Sequence, residues 1–83
     1  MLRIPVTYDL VCEIKQDINY CMQNLEHCLI TRNGQVVAII YLSPITIEKG
    51  ADLLEWEKEE VLKVVKENQY ELEEAYRRVL NGW

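Results

Sequence analysis

The feature that most constrains this chain is an Asn-Gly pair, Asn33-Gly34, between two apolar runs. Asn-Gly supplies the two positive-φ residues of a type I′ turn. The pair therefore predicts a β-hairpin, with Cys28 to Arg32 as its first strand and Gln35 to Leu42 as its second.

Both faces of the predicted hairpin are largely apolar. Direct pairing across the turn places Ile30 opposite Val37 and Cys28 opposite Ile39 on one face. The other face carries Leu29, Thr31, Val36, Ala38, Ile40 and Leu42. A sheet of this kind must be covered on two sides. We expect the preceding segment to cover one side, and either the C-terminal segment or a second copy of the chain to cover the other.

The chain is short for a sheet with two apolar faces. Its 83 residues make one small domain, which buries a smaller share of its surface than a larger domain does. Its three widely spaced cysteines do not form a closed disulfide framework, and it has neither a signal-peptide core nor an apolar run that could cross a membrane. We expect a cytoplasmic protein that buries surface against another chain.

Two elements are predicted before the hairpin. Ile4 and Val6 around Pro5 predict a short edge strand, because proline cannot donate to a central ladder. Apolar residues spaced three or four apart then predict a helix, with Thr7 as its N-cap. The residues of that stripe are Leu10, Ile14, Ile18, Cys21 and Leu25.

Residues 43 to 51 predict a connector, and an acidic amphipathic helix follows. Asp52 and Glu55 have the spacing of a capping pair at its start. Glu67-Asn68-Gln69 interrupts the apolar stripe, either as a kink or as a join between two helices. A continuous helix would be a rod of about 42 Å. Residues 51 to 83 hold nine acidic and five basic groups, which is -4 of the net charge of -5.

No residue pattern predicts catalysis or a metal site. His27 and Cys28 are neighbours in a predicted strand, so their side chains point to opposite faces. Cys12, Cys21, His27 and Cys28 lack the short paired spacings of zinc ligands, and we expect buried, structural roles for them. We expect no enzyme, no cofactor, no small-molecule substrate and no membrane partner.

The N-terminal half resembles a known family. Ile4 in a short strand, Thr7-Tyr8-Asp9 before a predicted helix, and the run from Leu29 to Ile40 with its Ile-Thr-Arg-Asn-Gly hairpin closely resemble the Phd/YefM antitoxins of bacterial type II toxin-antitoxin modules. That family reads "LITRNGxxxAVL" at the hairpin. The resemblance covers residues 3 to 43, about half of the chain.

The resemblance implies an α+β fold and two functions. Residues 1 to 50 would form a small domain of short strand, helix and Asn-Gly hairpin, which dimerises and binds operator DNA. Residues 51 to 83 would form a long helical segment that neutralises a toxin, either a RelE-like ribonuclease or a Doc-like enzyme. The DNA contacts so implied are Arg3, Thr31, Arg32 and Asn33, of which Arg32 matches the arginine of the family's hairpin.

The expected toxin contacts follow the apolar and aromatic side of the C-terminal segment. They are Leu54, Trp56, Val61, Val65, Leu72, Tyr76, Val79 and Trp83. Aromatic anchors on an amphipathic helix commonly dock in grooves of a partner, and the acidic charge suits a basic one.

A second hypothesis comes from a different class. The family's early-helix arginine has no match at Leu10-Val11-Cys12, the chain is acidic, and Arg32 can equally be a solvated residue at a hairpin tip. The alternative is therefore a protein-interaction or assembly module that does not bind DNA and that associates through its C-terminal amphipathic helix.

Overall fold

The residues that the structure describes form five antiparallel strands and two helices. The computed structural model describes residues 2–14, 26–48 and 50–80. The strands are β1 (Leu2–Pro5), β2 (Leu10–Ile14), β3 (His27–Arg32), β4 (Gln35–Leu42) and β5 (Ile45–Ile47). They lie side by side in chain order, each paired with its neighbour in sequence. The helices α1 (Glu55–Glu67) and α2 (Gln69–Leu80) follow. The predicted fold, a small strand-helix-hairpin domain followed by a long helical segment, is therefore wrong.

The N-terminal part of the predicted first helix is a strand. Leu10, Cys12 and Ile14 are buried on one face of β2, which pairs with β1 on one side and β3 on the other. Leu10 and Ile14 fit a helical period of four as well as a strand period of two, and the pairing partners select the strand. Residues 15–25 of the predicted helix lie outside the described residues. The edge-strand prediction for Pro5 is confirmed, because β1 is the outermost strand.

Thr7 caps a turn instead of a helix. Its Oγ1 accepts hydrogen bonds from the backbone N–H of Asp9 at 3.4 Å and of Leu10 at 3.1 Å. The N–H of Val6 donates to the Leu10 carbonyl at 2.8 Å, which closes the β1–β2 hairpin. A threonine hydroxyl that accepts from a residue two or three positions ahead serves a turn as well as a helix start. The prediction of Thr7 as a helix N-cap is therefore wrong, because the element that follows is a strand.

The Asn-Gly hairpin is confirmed, although its register differs from the prediction. Asn33 and Gly34 have φ values of 52° and 81°, as a type I′ turn requires. Arg32 lies opposite Gln35, but the register shifts after that, so Ile30 lies opposite Ala38. Val37 is the extra residue, and this bulge moves the rest of β4 to the other face.

The bulge gives the sheet one continuous apolar side. With it, Ala38, Ile40 and Leu42 of β4 share a face and one core with alternate residues of β2 and β3, which are Leu10, Cys12, Ile14, Cys28 and Ile30. The predicted connector also contributes, because Ile45 and Ile47 of β5 pack at the margin of that core.

The C-terminal segment is two helices that cover this apolar side. Asn68 ends α1: its backbone N–H donates to the carbonyls of Val64 and Val65, and its side chain donates to Val64 at 2.8 Å. Of the two readings of Glu67-Asn68-Gln69, the join is the one observed. Gln69 Nε2 donates to the Leu42 carbonyl at 2.6 Å, which fastens the start of α2 to the end of β4. No 42 Å rod is formed, since the longest dimension is 34 Å.

Strands and helices share a single hydrophobic core. The expected division between residues 50 and 51 falls after Gly50, in the connector from β5 to α1. The buried helix residues are Val61, Val65, Leu72, Tyr76 and Val79, and they pack in the same cluster as the strand residues. The two segments therefore depend on each other for burial of their apolar surface.

Candidate interaction surface

The four residues expected to contact DNA lie on different sides of the sheet. Arg3 and Thr31 share a face with Glu13: Thr31 Oγ1 donates to the Glu13 carboxylate, and Arg3 Nε lies 3.6 Å from it. Arg32 is on the opposite face, with the helices, because it follows Thr31 along the strand. Asn33 is exposed in the turn. These residues do not form one basic patch.

Arg32 is the centre of an ion-pair cluster. Its Nη2 donates to Glu57 of α1, and its Nε lies 3.1 Å from Oδ2 of Asp9 in the β1–β2 turn. The hydrogen bond to Glu57, together with the charges of Asp9 and Asp52, raises the pKa of Arg32 further above its ordinary value. The guanidinium is thus permanently charged and already paired with two carboxylates.

Glu57 links this cluster to the start of α1. The helix begins after Leu54, and Glu57 Oε1 accepts the backbone N–H of Leu54 at 2.9 Å. The other carboxylate oxygen accepts from Arg32. The predicted capping pair of Asp52 and Glu55 is therefore wrong by two residues. The observed pair is Leu54 and Glu57, and the same Glu57 carboxylate also binds Arg32.

Most residues expected to contact a toxin are in the core. Val61, Val65, Leu72, Tyr76 and Val79 are almost fully buried against the sheet. Trp83 lies outside the described residues. Of the expected toxin contacts that the structure describes, only Leu54 and Trp56, at the start of α1, are exposed, at 61% and 52% of their full surfaces.

Leu54 and Trp56 border an open groove of about 460 Å³ between the start of α1 and the β1–β2 turn. We call it the aromatic groove. Its lining residues are Tyr8, Asp9, Arg32, Asp52, Leu53, Leu54, Trp56 and Glu57. Tyr8 is 98% exposed. A cluster of large, solvent-exposed apolar and aromatic side chains is typical of an interaction site, whereas single exposed ones are common on any surface.

The groove is acidic as well as aromatic. Asp9, Asp52 and Glu57 outnumber Arg32, which leaves two negative charges among the lining residues. Asp9 and Glu57 share the charge of Arg32, whereas Asp52 lies near enough only to influence it. Such a surface attracts cations and repels phosphate.

Three of these lining residues are predicted from the sequence as site residues: Leu54 and Trp56 as toxin contacts, and Arg32 as a DNA contact. Tyr8, Asp9, Asp52, Leu53 and Glu57 are not among the predicted site residues. Tyr8 and Asp9 precede Glu57 by about fifty residues in the chain, and no local pattern indicates that they meet. The one available signal was a large aromatic side chain in a polar turn, at Tyr8.

The cysteine and histidine residues described by the structure are in packed surroundings. Cys12 and Cys28 are buried free thiols, and the hydrogen bond between them, together with burial, raises the pKa of Cys28. The His27 ring makes edge contacts with Tyr76 at 5.1 Å and Tyr41 at 6.5 Å between centroids. Within residues 2–14, 26–48 and 50–80, no three potential metal ligands of the His, Cys, Asp or Glu type come together.

Comparison with protein-family models, with curated proteins and with solved structures found no match for this chain. In the described part of the chain, neither helix has the length and apolar character needed to cross a lipid bilayer.

Proposed function

We propose that this chain is a protein-interaction module that binds a basic protein through the aromatic groove and does not bind DNA. The observation that carries the proposal is the exposure of Leu54 and Trp56 beside a core that already buries the rest of the helical stripe. The surface offered to a partner is thus the start of α1, and not the apolar side of the C-terminal helices.

The chemistry of the groove supports a protein partner. Tryptophan and tyrosine supply most of the binding energy in many interfaces, because they bury large areas at low entropic cost. The acidic lining residues would steer a basic protein to the groove and set its orientation.

The pairing of Arg32 argues against operator binding. To contact a phosphate, this guanidinium would have to leave Asp9 and Glu57, and the phosphate would then approach two carboxylates. Arg3 and Thr31 are on the other face and are themselves associated with Glu13.

Neutralisation of a toxin is a second candidate, and a specific form of the first. Leu54 and Trp56, both expected toxin contacts from the sequence, are exposed together. The partner would be a basic toxin encoded beside this chain, and we propose a cytoplasmic location for the pair. The free thiols of Cys12 and Cys28 suit that compartment.

Calorimetric titration with the purified basic product of the adjacent gene tests the proposal. We expect the double variant Leu54→Ala/Trp56→Ala to raise Kd at least about tenfold, because central aromatic contacts dominate interfaces. Tyr70→Ala is the matched control: it removes a side chain that is 73% exposed but lies outside the groove. An equal loss in both variants, or in neither, contradicts the proposed site.

Co-expression tests the toxin form separately. If the chain is an antitoxin, it relieves growth arrest caused by the adjacent gene product, and the double variant relieves it less. Binding without relief of arrest would leave an interaction module that is not an antitoxin.

A further inference from the structure

We infer that the aromatic groove receives an arginine side chain of the partner, stacked on Trp56 with its charge facing Asp52. This inference rests on the proposed function, because it names the part of the partner that enters the groove. Three features carry it: the excess negative charge, the anchored backbone of Asp52 and the exposed aromatic rings.

One of the acidic residues in the groove, Asp52, has no ion-pair partner among the described residues. Arg32 forms ion pairs with both Asp9 and Glu57, so its charge is already shared between those two carboxylates. Within the described part of the chain, the Asp52 carboxylate takes part in no ion pair or side-chain hydrogen bond and is exposed. A cation from the partner would supply the missing counter-charge.

Asp52 is held in place by its backbone. Its N–H donates to the carbonyl of Val37 at 2.8 Å, which ties the segment before α1 to the bulge of β4. The carboxylate is thereby positioned on a fixed backbone two residues before the N-cap Leu54. The backbone that carries the carboxylate therefore needs no further ordering when a cation binds.

The aromatic rings favour a planar cation. Trp56 is half exposed and Tyr8 almost fully exposed, so ring surface is accessible at the groove. Guanidinium stacks on aromatic faces and is more weakly hydrated than ammonium, and tryptophan is the best cation–π partner. Arginine thus suits the groove better than lysine.

Other occupants fit less well. A phosphate or carboxylate would meet the excess negative charge of the groove. A purely apolar side chain would bury Trp56 and Leu54, but it would also remove water from Asp52 without replacing its hydrogen bonds, which is unfavourable.

The probe for this inference is the tripeptide acetyl-Gly-Arg-Gly-amide, with acetyl-Gly-Gln-Gly-amide as its neutral counterpart. The observable is the indole N–H resonance of Trp56 in a heteronuclear NMR spectrum, distinguished from that of Trp83 by Trp56→Phe. We expect the arginine peptide to shift the Trp56 resonance in a saturable way, less so at high salt, and the glutamine peptide to leave it unchanged.

Asp52→Asn separates charge from stacking. We expect it to raise Kd for the arginine peptide about two- to fivefold, the effect of losing one exposed ion pair. Glu59→Gln, which removes an exposed α1 charge outside the groove, should leave Kd unchanged. Equal shifts with both peptides, equal affinity for a lysine peptide, or an unchanged Kd in Asp52→Asn would overturn the inference.

The same variants, titrated with the protein partner, distinguish the two proposals. If Leu54→Ala/Trp56→Ala abolishes partner binding while the arginine peptide leaves Trp56 unaffected, the interaction surface stands and the arginine assignment fails. If the peptide binds at Trp56 but the partner binds the double variant normally, the arginine site stands and the proposed function fails.

Discussion

At the scale of single residues, Glu57 connects three parts of the molecule. One carboxylate oxygen caps α1 through the Leu54 N–H, and the other binds Arg32 at the end of β3. Arg32 in turn reaches Asp9 in the β1–β2 turn. A side chain that is nearly buried therefore holds the helix start, the hairpin and the turn in one arrangement.

Replacing Glu57 with glutamine should destabilise the fold measurably. Glutamine keeps the size and one acceptor oxygen but loses the charge that binds Arg32. We expect the free energy of unfolding to fall by about 1–2 kcal/mol, the lower part of the range for a hydrogen bond to a charged group, because Arg32 is partly exposed. Urea denaturation measures it.

Glu59→Gln is the control for this change, since Glu59 is exposed on the same helix. We expect it to alter the free energy of unfolding by no more than about 0.5 kcal/mol. If the two variants lose the same amount, Glu57 has no special part in holding the helix start.

At the scale of elements, α2 has one buried side and one exposed side. Leu72 is fully buried in the core, whereas Tyr70, two positions earlier, is largely exposed. Residues two apart lie on different sides of a helix, so the two positions report on opposite surfaces of the same element.

Alanine at these two positions should have very different effects. We expect Leu72→Ala to lower the free energy of unfolding by about 2–5 kcal/mol, because it removes buried surface and leaves a cavity. Tyr70→Ala should change it by no more than about 0.5 kcal/mol. Thermal or urea unfolding of both variants checks this. The reverse order would mean that the exposed side of α2 packs and the buried side is free for a partner.

The elements that could be predicted from the sequence are those with a local chemical signal. Asn33-Gly34 predicts the hairpin because two adjacent positive-φ residues have few other uses. Pro5 predicts an edge strand for a similarly local reason. The β2 strand was missed because its short apolar pattern fits two periods, and the bulge at Val37 was missed because no residue type there is specific to a bulge.

At the scale of the whole molecule, one core joins the sheet to the helices. The apolar side that the bulge creates on the sheet is covered by α1 and α2 of the same chain. A second copy of the chain is therefore not needed to cover that side. The C-terminal helices are stabilised by this packing, since short helices have only marginal stability on their own in water.

A fragment of residues 1 to 50 should not fold on its own. Without the helices it exposes the apolar side of the sheet, including Leu10, Ile30 and Ile40, which are fully buried in the whole chain. We expect poor dispersion in its proton NMR spectrum and no cooperative thermal transition, whereas the full chain unfolds in one transition. A folded fragment would instead support an independent domain that ends at residue 50.

The candidate site could be predicted only in part, because its arrangement depends on the fold of the whole chain. Trp56 and Leu54 are predicted contacts because a large apolar residue on a helix, whether exposed or buried in the free protein, usually packs against another protein surface. Which of the expected contacts stay exposed depends on where α1 begins and which side of it the sheet occupies. The pairing of Arg32 with Glu57 joins residues 25 apart and arises only once the whole chain has folded.

The order of the strands also bears on how the chain acquires its structure. Every strand pairs with its neighbour in sequence, so the sheet needs no pairing between strands that are distant in the chain, and pairing between sequence neighbours favours rapid folding. The helices that cover the sheet come after all of its strands in the chain. During synthesis the strands therefore leave the ribosome before their cover does. In that interval the uncovered side of the nascent sheet is where aggregation would begin, and where a chaperone would be expected to bind.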